Sequence, residues 1–186
     1  MRTVTDRDAL QWDKTGERPE PAGYLKVACR TYRYPDGREG DWDILKGPRT
    51  VAVVALTDDG RGVLVRQFRP GPGRVLAELS GGLVGADESV EDAAARELLE
   101  ETGYKAESVT VVMQTYLASY ATHERHAVLA RGCRKIGEPK PDGDEFVEPI
   151  TLSLPEYMAH VLGGQLTDAD MGLAGLVGAG LLKQTI

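Results

Sequence analysis

The run RELLEETG, residues 96–103, places three carboxylates, Glu97, Glu100 and Glu101, at positions i, i+3 and i+4 of a segment patterned as an amphipathic helix. At roughly 100° per residue, Val90, Ala94 and Leu98 define one apolar arc, and Glu97 and Glu101 fall within about 20° of Val90. Glu100 lies about 80° to one side and Leu99 roughly opposite, so the polarity of the helix is partly inverted. Carboxylates crowded on a half-buried face cost several kcal/mol in repulsion and desolvation unless a cation compensates. A hard divalent metal held by oxygens at this spacing is one account. A solvated acidic helix end, paired with Arg96 or Lys105, is the other.

These side chains need a helix and a loop to hold them. Ser89 with Asp92 three residues on forms a near capping box, and Gly103 stands where a left-handed stop is expected, so the helix runs from about Val90 to Thr102. Before it, Gly81, Gly82 and Gly85 make a loop in which backbone can approach a ligand closely. Two hairpins are predicted upstream, one turning at Pro35-Asp36-Gly37 and one at Asp58-Asp59-Gly60. Downstream, SVTVVMQTYLAS, HAVLARGCRKI and FVEPITLSL read as strands. LPEYMAHVL reads as a helix opened by Pro155, and TDADMGLAGLVGAGLLKQ as a second helix weakened by its glycines. Strands, a helix, more strands and terminal helices add up to a mixed α+β sandwich. Residues 1 to about 20 are polar and read as an arm or lead-in.

Composition narrows the function classes. The 186 residues are 41% hydrophobic and 27% charged, which suits one well-buried domain rather than a disordered or membrane chain. The longest plain apolar run, VAVVAL, is far short of a membrane span, and no secretory pattern opens the chain, so a cytoplasmic protein is expected. Cys29 and Cys133 lack metal or redox spacing and are expected to be free core thiols. A net charge of −7 disfavours nucleic acid and anionic membranes as partners. An acidic site binds an anionic substrate only through a divalent cation or nearby arginines.

Written out, the stretch is Gly82, five residues, Glu88, seven residues, Arg96-Glu97-Leu98, one residue, Glu100-Glu101, one residue, Gly103-Tyr104. It resembles the Nudix box, the signature of hydrolases of nucleoside diphosphates linked to another moiety. Seven fixed residue types at roughly 7% usage each give a chance match on the order of 10⁻⁸ per starting position. Tyr104 departs from the usual aliphatic residue. VLVRQFRPG, LAELSGGLVGADES and GDEFVEPITL resemble the ADP-ribose pyrophosphatase branch, and the likeness covers most of residues 24–180.

The resemblance implies an α/β/α sandwich over 49–186, with residues 1–48 forming an arm and an antiparallel β extension exchanged across a homodimer. It implies Mg²⁺, or Mn²⁺, on Glu97, Glu100 and Glu101 with the Gly81 carbonyl, and a Glu88–Arg96 pair tying loop to helix, with Gly82 and Gly103 as framework glycines. Glu97 and Glu101 would serve catalysis with Glu145, which the likeness favours over Asp142, Asp144 and Glu148 as the base or water-orienting group. Arg69 fits the family's diphosphate-binding arginine. Trp42 and Tyr24 are candidates for stacking on adenine, although core or edge packing explains either as well. Glu124 falls in its usual place after Ser119-Tyr120-Ala121, which replaces a common Ser-Pro-Gly; an approach to the metals and a structural role are both open. His123 and His126 read as loop or surface histidines rather than ligands.

The expected activity is Mg²⁺-dependent cleavage of the diphosphate of ADP-ribose, or of a related nucleoside diphosphate sugar, to a nucleoside monophosphate and a sugar phosphate. GDP-mannose, a dinucleotide or a damaged nucleoside triphosphate are rivals within the class; the N-terminal strands and the VRQFRPG and GDEFVE segments count against the last. A non-catalytic sensor of nucleotide sugars is the rival outside it, and such a module would be expected to have lost metal carboxylates that this chain retains.

Overall fold

The computed structural model describes residue 10 and residues 25–143 and 145–182. The polar lead-in, Tyr24 and Asp144 therefore lie outside the described residues, Leu10 excepted.

Both expected hairpins form. β1 (Lys26–Arg33) pairs antiparallel with β2 (Glu39–Lys46), and β3 (Arg49–Thr57) with β4 (Arg61–Arg69). Gly37 and Gly60 take positive φ at the turns, a conformation glycine adopts without a Cβ penalty. A short strand that the pattern did not reveal, β5 (Arg74–Glu78), folds back on β4. Helix α1 (Val90–Thr102) has the expected bounds: the Ser89 side chain accepts from Asp92 N–H, and Gly103 at φ 74° closes the C-terminus. A two-residue strand β6 (Tyr104–Lys105), too brief to leave a pattern, precedes β7 (Ser108–Tyr116) and β8 (Glu124–Lys135). β9 (Val147–Ser153) and α2 (Leu154–Leu162) follow as read, and α3 (Ala169–Gly178) is shorter than the stretch 167–184 read as a helix, giving way to turns at 179–182.

The strands make one seven-stranded mixed sheet in the order β5-β4-β3-β8-β6, with β7 also on β8 and β9 on β4, and a separate two-stranded sheet, β1-β2. β3 and β8 run parallel at the centre. Alternation along β3 sorts the core into two layers. Val51, Val53 and Ala55 pack with Ala93, Ala94 and Leu98 of α1, while Ala52 and Val54 pack with Tyr157 and Val161 of α2 and Met171 and Leu176 of α3. The architecture is α/β/α, α+β in class, with an N-terminal antiparallel extension. The α3 glycines have a packing reason: a Cβ on Gly175 would run into Val54, and one on Gly172 would press on Val161. The hairpin of β1 and β2 is exposed along most of its length and is clipped to the body where Leu45 N–H donates to Tyr120 O and Thr122 N–H to Leu45 O.

Two expectations are corrected here. Cys29 is exposed, so only Cys133 is a core thiol. His126 is buried on β8, where its Nδ1 lies 3.1 Å from Thr50 O, rather than at the surface. His123 is a loop histidine as expected, half-buried just before β8, and shares a 2.9 Å hydrogen bond with Thr50 Oγ1.

Candidate active site

The loop before α1 is zipped onto the edge of β3. Val53 N–H donates to Ser80 O, Val51 N–H to Gly82 O and Val84 N–H to Arg49 O, which fixes Gly81 and Gly82 against the sheet. A Cβ at Gly81 would strike Val51 O, and one at Gly82 would strike the Glu97 carboxylate. The two glycines are thus what lets this backbone and the helix carboxylates share one space.

The inverted polarity of α1 is real. Glu97 and Glu101 are buried beside Ala93, Ala94 and Leu98, Glu100 is half-buried, and Leu99 is 39% exposed on the far side with no core behind it. Glu101 Oε2 accepts from Gly81 N–H at 2.9 Å. Burial pushes the Glu101 carboxyl up to about 8; the Gly81 N–H and the charge of Arg69 oppose the shift, while Glu97 and Glu145 add to it. Burial likewise raises Glu97, against the pull of Arg96.

Arg96 is the hub of this cluster. Its Nε and Nη2 donate to the two Glu88 oxygens at 3.0 and 3.1 Å, and Nη2 also donates to Leu83 O at 2.9 Å. Nη1 donates to Glu97 at 2.8 Å and Glu100 at 3.0 Å. The bidentate pair with Arg96, with help from Gly85 N–H, holds the Glu88 carboxyl below its ordinary range. Arg49, which the sequence did not single out, donates to Gly85 O at 3.0 Å and secures the same loop.

A metal centre can be tested against these residues. Among the described residues no three acidic, histidine or cysteine groups converge on one point as they stand, and the Arg96 guanidinium lies between Glu97 and Glu100. The donor chemistry nevertheless fits a hard divalent cation: oxygen donors only, two of the carboxylates buried and under-compensated, and a glycine cradle that a Cβ would fill.

A cavity of about 370 Å³ opens against this loop, lined by Gly81, Gly82, Arg69, His123, Arg125 and Thr167 among others. Arg125 is held there by Asp168 at 2.7 Å and by both oxygens of Asp170 at 2.8 Å, which ties β8 to the start of α3.

The structure gathers some of the sequence candidates and leaves others apart. Gly81, Gly82 and Arg69 line the cavity, and Glu101 and Glu97 lie directly against the two glycines, Glu101 through the Gly81 N–H and Glu97 where a Cβ on Gly82 would stand. Glu145 sits on an exposed loop close enough for its charge to bear on Glu97 and Glu101. Glu148 is directed elsewhere, paired with Arg66. Glu124 accepts from Gln114 at 3.4 Å and does not line the cavity; nor does Trp42, which is 52% exposed on β2. Tyr24 lies outside the described residues. Sequence reasoning missed Thr50, Arg125, Thr167 and Glu78, because their roles come from strand register and from a turn before α3 that no local motif announces.

An α/β/α sandwich with a glycine loop feeding a carboxylate-bearing helix defines a class of fold and site. The NUDIX domain model matches residues 46–168, and the chain belongs to the Nudix family. Among curated proteins it is similar to an ADP-ribose pyrophosphatase of Bacillus subtilis, 34% identical over 75% of this chain and 77% of that one. It is also similar to a methanol dehydrogenase activator of Bacillus methanolicus, 31% identical over 81% and 82%. An ADP-sugar pyrophosphatase of Mus musculus is 34% identical over 74% and 71%. A solved structure described as an ADP compounds hydrolase superposes with a TM-score of 0.71 at 20% identity, covering 89% of this chain and 94% of that one, a likeness of fold.

Proposed function

We propose that the protein is a Nudix pyrophosphatase that hydrolyses the phosphoanhydride bond of ADP-ribose, or of a related nucleoside diphosphate sugar. Water adds across the P–O–P link, one P–O bond breaks, and ADP-ribose yields AMP and ribose 5-phosphate. The observation that carries this reading is the buried, under-compensated pair Glu97 and Glu101 set against the Gly81-Gly82 loop at the end of a ligand-sized cavity. The curated relatives named for ADP-ribose and ADP-sugar support the substrate class.

In this reading Glu97, Glu100, Glu101 and the Gly81 carbonyl hold Mg²⁺, with Mn²⁺ as a substitute. When bound, the ion neutralises diphosphate charge and lowers the pKa of coordinated water. Glu88 keeps Arg96 in place through its bidentate pair, so that Glu97 and Glu100 can turn away from Nη1 without the loop losing its tie to the helix. Arg69 binds the diphosphate at the cavity mouth. Glu145 accepts the proton of the attacking water; its exposure leaves it free to move, and its charge already reaches Glu97 and Glu101.

Trp42 and Tyr24 stack on the base in a homodimer that exchanges the 1–48 extension. Support for the exchange is that Leu25, just before β1, and Val27, Tyr32 and Trp42 in β1 and β2 are exposed, and that the two strands form a sheet of their own. Glu124 contributes to substrate binding from the start of β8. No helix among the described residues is long and apolar enough to cross a membrane, and we place the enzyme in the cytoplasm with a nucleotide sugar as its partner.

The test is a panel of ADP-ribose, GDP-mannose, a dinucleotide and a nucleoside triphosphate, each assayed with Mg²⁺. AMP release from ADP-ribose is expected, and its loss in Glu101→Gln with the fold intact. Binding of ADP-ribose without release under Mg²⁺ or Mn²⁺ would establish the sensor reading instead.

A further inference from the structure

Glu78 ends β5 with a carboxylate that is fully buried and stands apart from the α1 cluster. Its oxygens accept from Thr167 N–H at 3.2 and 3.0 Å and from Thr167 Oγ1 at 2.9 Å. A buried carboxylate also requires a cation. The ion-pair partner among the described residues is Arg69, whose Nε lies 3.6 Å from Glu78 Oε1. That distance is too long for a hydrogen bond, and Nε is buried without any other hydrogen-bond partner. What joins the two is therefore charge in a poorly hydrated place, not a saturated bidentate clasp.

The guanidinium is planar and rigid, so turning Nε toward Glu78 sets the direction of both Nη atoms. Arg69 lines the cavity beside Gly81 and Gly82, and its charge is felt at Glu101. The same Glu78 oxygens fix Thr167, and the next residue, Asp168, holds Arg125; Thr167, Asp168 and Arg125 line the same cavity as Arg69. One buried carboxylate thus links the arginine at the end of β4 to the wall that precedes α3.

We propose that Glu78 is a positioning residue for Arg69: its charge aims the guanidinium into the cavity, while its bonds to Thr167 hold the facing wall at a fixed separation. The inference rests on the diphosphate-binding role given to Arg69 above. Outer partners of a site group typically change activity by roughly 10–100-fold when removed. Glu78→Gln keeps an oxygen for Thr167 and removes the charge, so it separates the two functions of the residue.

The experiment measures kcat and KM for ADP-ribose with Mg²⁺ in wild type, Glu78→Gln, Arg69→Ala and the double variant, with thermal unfolding of each. Glu78→Gln is expected to lower kcat/KM roughly tenfold in the wild-type background. In the Arg69→Ala background it is expected to be neutral or restorative, and to raise the unfolding temperature, because it removes a buried charge left without its cation. Glu78→Asp, which keeps the charge but withdraws it by one methylene, is expected to show the same dependence on Arg69 and serves alone if the Gln variant does not fold. Equal losses in both backgrounds, or no loss in either, overturn the proposal in an enzyme that wild type shows to be active. If wild type cleaves no member of the substrate panel, the pyrophosphatase reading itself falls and takes this inference with it.

Discussion

Glu101→Gln in metal-free protein isolates the electrostatic cost of the site, because the amide keeps an oxygen for Gly81 N–H and loses only the charge. Burial pushes the Glu101 carboxyl from 4.5 up to about 8 in the folded chain. The folded state therefore binds this proton more tightly than the unfolded state does. Stability from that preference is fully present below about pH 4.5 and is lost as pH rises through about 8. Each pKa unit corresponds to about 1.4 kcal/mol, so the full shift is worth on the order of 3–5 kcal/mol by pH 9. With EDTA present, the Gln variant is expected to match wild type near pH 4.5 and to exceed it by that margin at pH 9. For a chain of this size the margin corresponds to an unfolding temperature raised by about 10 °C. Urea unfolding followed by circular dichroism across the pH range measures the gap. A gap that stays flat with pH, or a variant less stable than wild type at pH 9, would refute the claim that Glu101 is an under-compensated buried charge. Saturating Mg²⁺ is expected to reverse the order, since only wild type gains the binding free energy of a ligand selective for the folded state.

Arg96→Ala removes the one cation shared by Glu88, Glu97 and Glu100; with the guanidinium 36% exposed, a loss of about 2 kcal/mol in urea unfolding is expected, between the values for buried and for surface pairs. Gly82→Ala drives a methyl group into the Glu97 carboxylate and is expected to lower AMP release about a hundredfold, read from initial rates on ADP-ribose. Burial pushes the Cys133 thiol up to about 11, whereas Cys29 is exposed; a thiol reagent at pH 8 is expected to titrate Cys29 alone in the native protein and Cys133 only after unfolding.

The helix and its carboxylates were legible because local rules act there within one turn. Ser89, Gly103 and the position of Glu97 and Glu101 on the arc of Val90 specify both the bounds of α1 and the face that turns inward. Strands with clear alternation and Asp-Gly turns were legible for the same reason. β5 and β6 were not, since five and two residues carry too little periodicity and exist because β4 and β8 offer them free edges. His126 was read as a loop or surface residue because the oxygen donors of α1 left no ligand role for it and no local pattern marked it as core. The strand places it differently: Arg125 is consumed by two aspartates of the next layer, and His126 fills the space beside Thr50. Glu78 was invisible because its partners, Thr167 and Arg69, lie far from it in sequence or across a turn.

Arg96 resolves the puzzle of how such a helix folds before any ligand arrives. A chain that buried Glu97 and Glu101 beside Glu100 with no cation at all would carry a repulsion large enough to threaten a domain of ordinary stability. The guanidinium offsets part of this through Nη1, yet it is anchored by Nε and Nη2 to Glu88 and by Nη2 to Leu83 O, so it cannot follow the carboxylates into the site. Glu101 accepts no hydrogen bond from Arg96; among the described residues its hydrogen-bond donor is the Gly81 N–H, with the charge of Arg69 in support. The compensation is therefore uneven, strongest at the solvent side of the cluster and weakest at the buried carboxylate nearest the loop. Under the proposed reading that unevenness has a consequence: Glu101 would be the least satisfied of the oxygen donors offered to a divalent cation, and rotation of Glu97 and Glu100 away from Nη1 would free theirs. Glu88→Gln removes the charge and one of the two oxygens that clasp Nε and Nη2, leaving Leu83 O and a single neutral acceptor, and so loosens Arg96 enough to lean toward Glu97 and Glu100 and compete with the ion. Mg²⁺ concentration for half-maximal rate is then expected to rise severalfold, while kcat at saturating Mg²⁺ changes less. A fall in kcat with no change in Mg²⁺ dependence would show instead that Glu88 serves only to shape the loop.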